Sequence, residues 1–392
     1  MHVLRTAVLI RMREKSSNIS HKPGSFSHKS LSLLSKGDSC PEIYFSRSDI
    51  FMRKVFCILL VVAAVLSLSA VSFAEYKGKV TFEVNLKDAA KAEKAELWLP
   101  YPLSDANQTI TMMDIKSNGA VVGVENDPKS GAVYLHATWT KPAEVPALTM
   151  SFKADSHYSK KPAAALKETK DAFPPEVMKY TMATPSLPID RGFCAEASME
   201  FLKKETILDK AKGIYMWVLE HTFRDEDVKE GCGLGLPERT ISEKSGGGKC
   251  ADISSVFVAL ARASGIPTRD VYGLRVDPAK SGEITGNYHC WTEFYLPGTG
   301  WVMADPADVR KKMLNEKIEK VEDAKKWTDF FWAGDDLLRI ALNRDTRETV
   351  LSESTAKTPL TYFMYPYAEI DGKAIDWFSP KTFEFKVTLD LD

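Results

Sequence analysis

Cys250, His289 and Asp305 have the types, order and local surroundings that a nucleophilic acyl-transfer centre needs. Cys250 follows Gly246-Gly247-Gly248-Lys249 and precedes an apolar stripe of Ile253, Val256, Phe257, Leu260 and Ala261. That i, i+3, i+4, i+7 spacing predicts a helix, stopped by Gly265 and Pro267, with the cysteine in its first turn. The unpaired N–H groups and the positive dipole end found there favour a thiolate, so the thiol pKa should fall below the free value near ~8.5. A thiolate in that position is suited to attack a carbonyl carbon.

His289 opens an apolar run, Tyr288 to Tyr295, that reads as a strand, and Trp301 to Asp305 reads as the next, after a Pro-Gly-Thr-Gly turn. A hairpin of these two strands can set imidazole and carboxylate on one face, the carboxylate orienting a ring that faces the thiolate. Each residue alone has a plainer reading: a core cysteine, a structural histidine, a turn aspartate before Pro306. The ordered combination favours the triad. A phosphate loop is excluded, because Glu243 stands where that pattern needs glycine and Cys250 where it needs Ser or Thr. The glycines are instead expected to let backbone pass close to a substrate chain. Cys290 reads as a buried apolar residue, and Cys194 and Cys232, each beside a glycine, could pair in an oxidising compartment. His289-Cys290 is not a zinc pair, since no second cluster at metal spacing exists, and no metal or cofactor is expected. Trp291, Trp301 and Phe294 read as packing, and His221 as a helix C-terminal residue.

The runs at 248–269, 288–297 (Tyr-His-Cys-Trp-Thr-Glu-Phe-Tyr-Leu-Pro) and 300–306 (Gly-Trp-Val-Met-Ala-Asp-Pro) resemble the core motif of bacterial transglutaminase-like, papain-like proteins. Leu97-Trp98-Leu99-Pro100 and Tyr365-Pro366-Tyr367 resemble the flanks of secreted members. The resemblance implies that Cys250 is the nucleophile, His289 the general acid/base and Asp305 the orienting carboxylate. It also implies a thioester intermediate, with the Cys250 N–H as one oxyanion donor and a second donor upstream.

These residues need a scaffold, and the remaining pattern supplies one. Residues 75–157 alternate with period two (Val80, Phe82, Val84, Leu86; later Leu148, Met150, Phe152, Ala154), which predicts a β-sandwich. A Pro- and Lys-rich stretch, 158–190, reads as a linker. The catalytic domain follows at 191–310, entered through an amphipathic helix from Asp209 to Phe223, and 311–392 reads as a C-terminal extension packed on it, ending in a strand. The fold class is therefore α+β, an N-terminal antiparallel sandwich followed by a papain-like, transglutaminase-like domain.

Met52-Arg53-Lys54, the uncharged run Val55 to Val71 and Ser72-Phe73-Ala74 have the form of a cleavable signal peptide over 52–74, cut after Ala74. Residues 1–51 then read as an over-extended N-terminus, with translation starting at Met52. From residue 75 onward 42 basic and 49 acidic side chains leave a net charge of −7, which offers no footprint for nucleic acid or anionic membrane. The expectation is a secreted or periplasmic cysteine protease, amidase or acyltransferase acting on a protein or peptide, cell-wall peptide among the candidates. The competing expectation is a non-catalytic envelope binding or scaffold protein that retains the fold.

Overall fold

A computed structural model describes residues 73–159, 163–229, 231–334, 339–376 and 383–392. The expected over-extended N-terminus and, save for its last two residues, the expected signal segment lie outside them.

Strands β1 (Phe73–Asn85), β2 (Lys94–Pro100), β3 (Gln108–Ser117), β4 (Val121–Asn126), β5 (Val133–Thr140) and β6 (Ala147–Ser159) follow one another from the N-terminal side. Their alternating side chains bury one face: Val80, Phe82 and Val84 are inside while Lys79 and Glu83 are exposed. With β10 (Gly282–Glu283), β14 (Tyr367–Ile370), β15 (Lys373–Ala374) and β16 (Glu384–Leu391) these strands form two five-stranded sheets, in the orders β10-β16-β1-β6-β3 and β15-β14-β2-β5-β4. Phe82, Phe152, Leu97 and Leu135, drawn from both, share one buried cluster.

The late strands complete these sheets. β16 (Glu384–Leu391) runs antiparallel to β1 with Phe82 opposite Val387, and β14 (Tyr367–Ile370) pairs with β2. β15 (Lys373–Ala374) and β10 (Gly282–Glu283) lie at the edges. The stretch 311–392 thus contributes strands to both sandwich sheets, and through β13 (Arg339–Arg344) to a third, four-stranded sheet.

That third sheet carries the site. It is formed by β9 (Thr268–Arg275), β11 (Tyr288–Leu296) and β12 (Gly300–Ala304) with β13. Helices α1 (Gly192–Phe201), α2 (Ile207–His221), α3 (Cys250–Ala263) and α4 (Pro306–Glu316) accompany it, α3 the most deeply buried, with Ile253, Val256, Phe257 and Leu260 wholly inside. No helix among the described residues is long and apolar enough to cross a membrane.

The glycines before α3 approach another part of the same chain closely. Gly247 and Gly248 form β8, parallel to β7 (Phe223–Arg224). A Cβ at Gly246 would stand 2.1 Å from the His221 carbonyl oxygen, and one at Gly247 2.7 Å from the Phe223 ring. The close approach is to the His221 backbone and the Phe223 ring, which fixes where α3 begins.

Candidate functional site

Cys250 is the first residue of α3, and its side chain is 4 % exposed. The turn is locked by Asp252, whose Oδ2 accepts the Lys249 N–H at 3.0 Å and whose Oδ1 accepts those of Leu234 and Gly235 at 2.9 and 3.0 Å. One buried carboxylate thereby clamps loop 232–235 onto the helix N-terminus. Ala251 N–H donates to the Cys232 carbonyl at 2.8 Å, and the Cys250 thiol faces the same oxygen at 3.9 Å.

His289 and Asp305 are both fully buried. His289 pairs across to Gly273 of β9, and the β11–β12 hairpin brings Thr292 opposite Ala304, so Asp305 emerges beside the imidazole. His289 Nε2 lies 2.6 Å from Asp305 Oδ2. Asp305 is also the N-cap of α4, its Oδ1 accepting the Asp308 N–H at 2.9 Å, with Pro306 in the first turn. One carboxylate therefore holds the helix with one oxygen and the ring with the other.

The three expected residues converge. Burial opposes ionisation of Cys250, but hydrogen bonding from Cys232, Cys290 and His289, together with the charge of His289, holds its thiol well below the ordinary range. Cys232 is pushed the other way, by its hydrogen bond to Cys250 and then by burial, and Cys290 is pushed up mainly by burial. The four described cysteines are free, so Cys194 and Cys232 are not bridged; burial raises the Cys194 thiol to about 12.

Around the imidazole stands a charge network with no counterpart in the sequence expectations. Arg339 Nη1 lies 2.8 Å from Asp305 Oδ2, and its Nη2 3.3 Å from Asp308 Oδ2. Arg275 grips both oxygens of Asp308, with Nε at 3.0 Å from Oδ2, and its Nη2 reaches His289 Nδ1 at 2.6 Å. Burial would raise the Asp308 pKa, but the charges of His289, Arg275 and Arg339 hold it far below the carboxylate range. Asp-Pro-Ala-Asp is a helix-start pattern in the sequence, and it was the available signal for Asp308. The arginines have none, because pairing along β9 and β13 brings them in.

A pocket of about 230 Å³ is lined by Gly233, Leu234 and the segment 360–367. Tyr362 Oη donates to the Gly233 carbonyl at 2.6 Å, tying this C-terminal segment to the loop beside Cys250. The packing expectations for the aromatics hold: Trp291 is buried among Val271, Met303 and Ala341, and Phe294 stacks on Trp332. His221 ends α2, its ring 2.8 Å from the Trp217 carbonyl.

Residues 195–306 match the transglutaminase-like superfamily, and a Haemophilus influenzae protein, described only as uncharacterised, is 31 % identical over 338 residues, 79 % of this chain and 89 % of that one. The chain belongs to the transglutaminase-like superfamily. A solved structure from Cytophaga hutchinsonii, provisionally described as a cysteine protease, superposes with a TM-score of 0.51 at 14 % identity, over 81 % of this chain and 98 % of that one. That likeness concerns the fold. The periplasmic domain of TgpA from Pseudomonas aeruginosa matches more loosely, with a TM-score of 0.31 at 14 % identity over 64 % of this chain and 93 % of that domain.

Proposed function

We propose that the protein is a cysteine acyl-transfer or hydrolytic enzyme acting on peptide or isopeptide amides. The supporting observation is the lowered Cys250 thiol at a helix start beside an imidazole that Asp305 holds at 2.6 Å. On this reading the Cys250 thiolate adds to the amide carbonyl carbon, and the resulting oxyanion is met by the Cys250 N–H. The C–N bond breaks as His289 gives its proton to the leaving amine, leaving a thioester. Water, or a second amine, then adds with its proton passing to His289, and the S–C bond breaks to return the thiolate.

The substrate carbonyl has to reach a thiol that is 4 % exposed and an imidazole that is wholly buried, so acylation requires the cleft to open. That occlusion also favours a second reading, a binding or scaffold protein keeping the fold without turnover. A scaffold has no use for a lowered thiol pKa, which is why we prefer the enzyme. The signal-like sequence at 52–74 supports placing it in the periplasm or outside the cell, which N-terminal sequencing of exported protein tests.

The deciding experiment is the pH dependence of iodoacetamide labelling, mapped by peptide mass. Selective labelling of Cys250 well below pH ~8.5, shifted upward in His289→Ala, supports the enzyme. Labelling that begins only at the free-thiol pH in both proteins refutes it. For an active protein, a peptide screen with and without a primary amine acceptor separates hydrolysis from transfer.

A further inference from the structure

Cys232 and Cys290 have no bond to make or break in the proposed reaction, yet they accompany the nucleophile closely. The Sγ atoms of Cys232, Cys250 and Cys290 all lie within 4.8 Å of one another, and all three residues are buried. They come from three separate places: the loop before α3, the first turn of α3, and β11. A fourth sulfur stands next to them, Met364 Sδ at 3.8 Å from Cys290 Sγ.

Metal–thiolate bonds of ~2.3 Å put neighbouring sulfurs about 3.8 Å apart around one ion. The three thiols therefore need to close by less than about an ångström each. Thiolate and thioether donors select soft cations, Cu(I) above all, and an all-sulfur pocket without a carboxylate donor disfavours hard ones. Three thiolates around a monovalent ion leave a charge of −2, and two guanidinium groups are at hand to offset it. Arg224, at the end of β7 and bonded to Glu226, and Arg275, held chiefly by Asp308, both also feel the charge of Cys250 against the effect of their burial.

We propose that Cys232, Cys250 and Cys290 form a binding site for one soft monovalent cation of the Cu(I) type, with the Met364 thioether as an adjacent fourth donor. Binding displaces the thiol protons of Cys232 and Cys290, which leave to solvent, while Cys250 already offers a thiolate. The cation occupies the nucleophile, so a loaded protein has no thiolate to offer a carbonyl. That last consequence rests on the enzyme reading; the binding site does not. The proposal departs from the sequence expectation of no metal, and the reason is spacing: ligands at 232, 250 and 290 have no metal-motif pattern, and only the sheet and helix start bring them together.

The test uses the purified, reduced full chain under anaerobic conditions, with Cu(I) supplied from a chromophoric chelator. One equivalent should transfer, and X-ray absorption on the wild-type protein should show three sulfur scatterers. Cys232→Ser and Cys290→Ser should each lose more affinity than the roughly 10–100-fold that a lost outer-shell partner costs, while Cys194→Ser binds as wild type. A single sulfur with nitrogen in the absorption spectrum, or wild-type affinity in either Cys232→Ser or Cys290→Ser, overturns the proposal in favour of capture by Cys250 and His289 alone. The wild-type spectrum gives the answer even where a variant fails to fold. Neither readout involves turnover, so the result is independent of whether the chain is an enzyme.

Discussion

Replacing Gly273 by alanine tests the site's scaffold without touching the triad. Gly273 lies on β9 between His289 of β11 and Ala341 of β13. An added Cβ would stand 2.0 Å from the Ile340 carbonyl oxygen and 2.9 Å from the Trp291 ring, where real contacts stay beyond 3.0 Å. The backbone of β13 must therefore retreat by about 1 Å, and no rotamer change relieves a clash with a carbonyl. Arg339 begins that strand and holds Asp305, so the retreat propagates to the carboxylate that orients His289. Overpacking of this kind costs about 1–3 kcal/mol. At roughly 2–4 °C per kcal/mol the melting temperature falls by several degrees. A displacement near 1 Å at a catalytic centre costs on the order of 100-fold in rate. Thermal melting followed by circular dichroism, together with the pH profile of Cys250 alkylation, measures both effects: lower stability and a profile moved to higher pH. Gly286→Ala, where an added Cβ meets nothing within 4 Å, serves as control and should change neither. An unchanged melting temperature and profile in Gly273→Ala would refute the packing of β9 against β13 on which the reasoning stands.

Asp308→Asn should destabilise by about 3–5 kcal/mol at neutral pH, because it leaves Arg275 with a neutral partner and Arg339 with Asp305 alone. The folded pKa of Asp308 is depressed, so its contribution is present above the unfolded value near ~3.9 and is lost as pH falls toward the folded value. The melting-temperature gap between wild type and variant should accordingly narrow below about pH 4, and a gap constant from pH 7 to pH 3 would contradict the assignment. Asp252→Ala strips the acceptor from three backbone N–H groups at the start of α3. At about 1–3 kcal/mol for each buried donor left unmatched, its melting temperature should fall, with amide exchange at Leu234 and Gly235 accelerated.

That Cys250, His289 and Asp305 would come together was legible because each belongs to a local pattern. Cys250 marks where glycines give way to a period-3.6 stripe, and His289 and Asp305 bracket a hairpin with its own turn residues. The β1 and β6 alternation was legible for the same reason. Partners across the chain were not. Nothing near Arg275 or Arg339 announces that β9 and β13 will pair and aim both guanidinium groups at one carboxylate. The alternation of residues 383–389 reads as a strand, but not that it will lie against residues 80–86, because nothing local encodes so distant a partner. The Gly246–Gly248 run correctly signals close backbone approach, while the identity of what approaches, His221 and Phe223, depends on where α2 ends.

Arg275 decides what the proposed chemistry can use as its proton carrier. A guanidinium has donors and no acceptor, so with Arg275 Nη2 at 2.6 Å the His289 Nδ1 presents its lone pair, and the ring proton sits on Nε2, donated to Asp305. In that arrangement Arg275 supplies positive charge near Cys250, whereas the His289 charge that lowers Cys250 and Asp308 belongs to a ring also protonated at Nδ1. A neutral ring cannot protonate a leaving amine. It first has to gain a proton at Nδ1, the atom Arg275 now faces, and a protonated Nδ1 and a guanidinium N–H cannot share that place. Arg275 already holds Asp308 through both oxygens, so withdrawing from His289 leaves it fully paired. On the proposed reading, the resting site keeps its thiolate beside a guanidinium, and it becomes competent for amine departure when Arg275 settles wholly onto Asp308. The cleft opening that a buried thiol requires is the natural occasion for that shift, which would tie proton availability to the arrival of substrate.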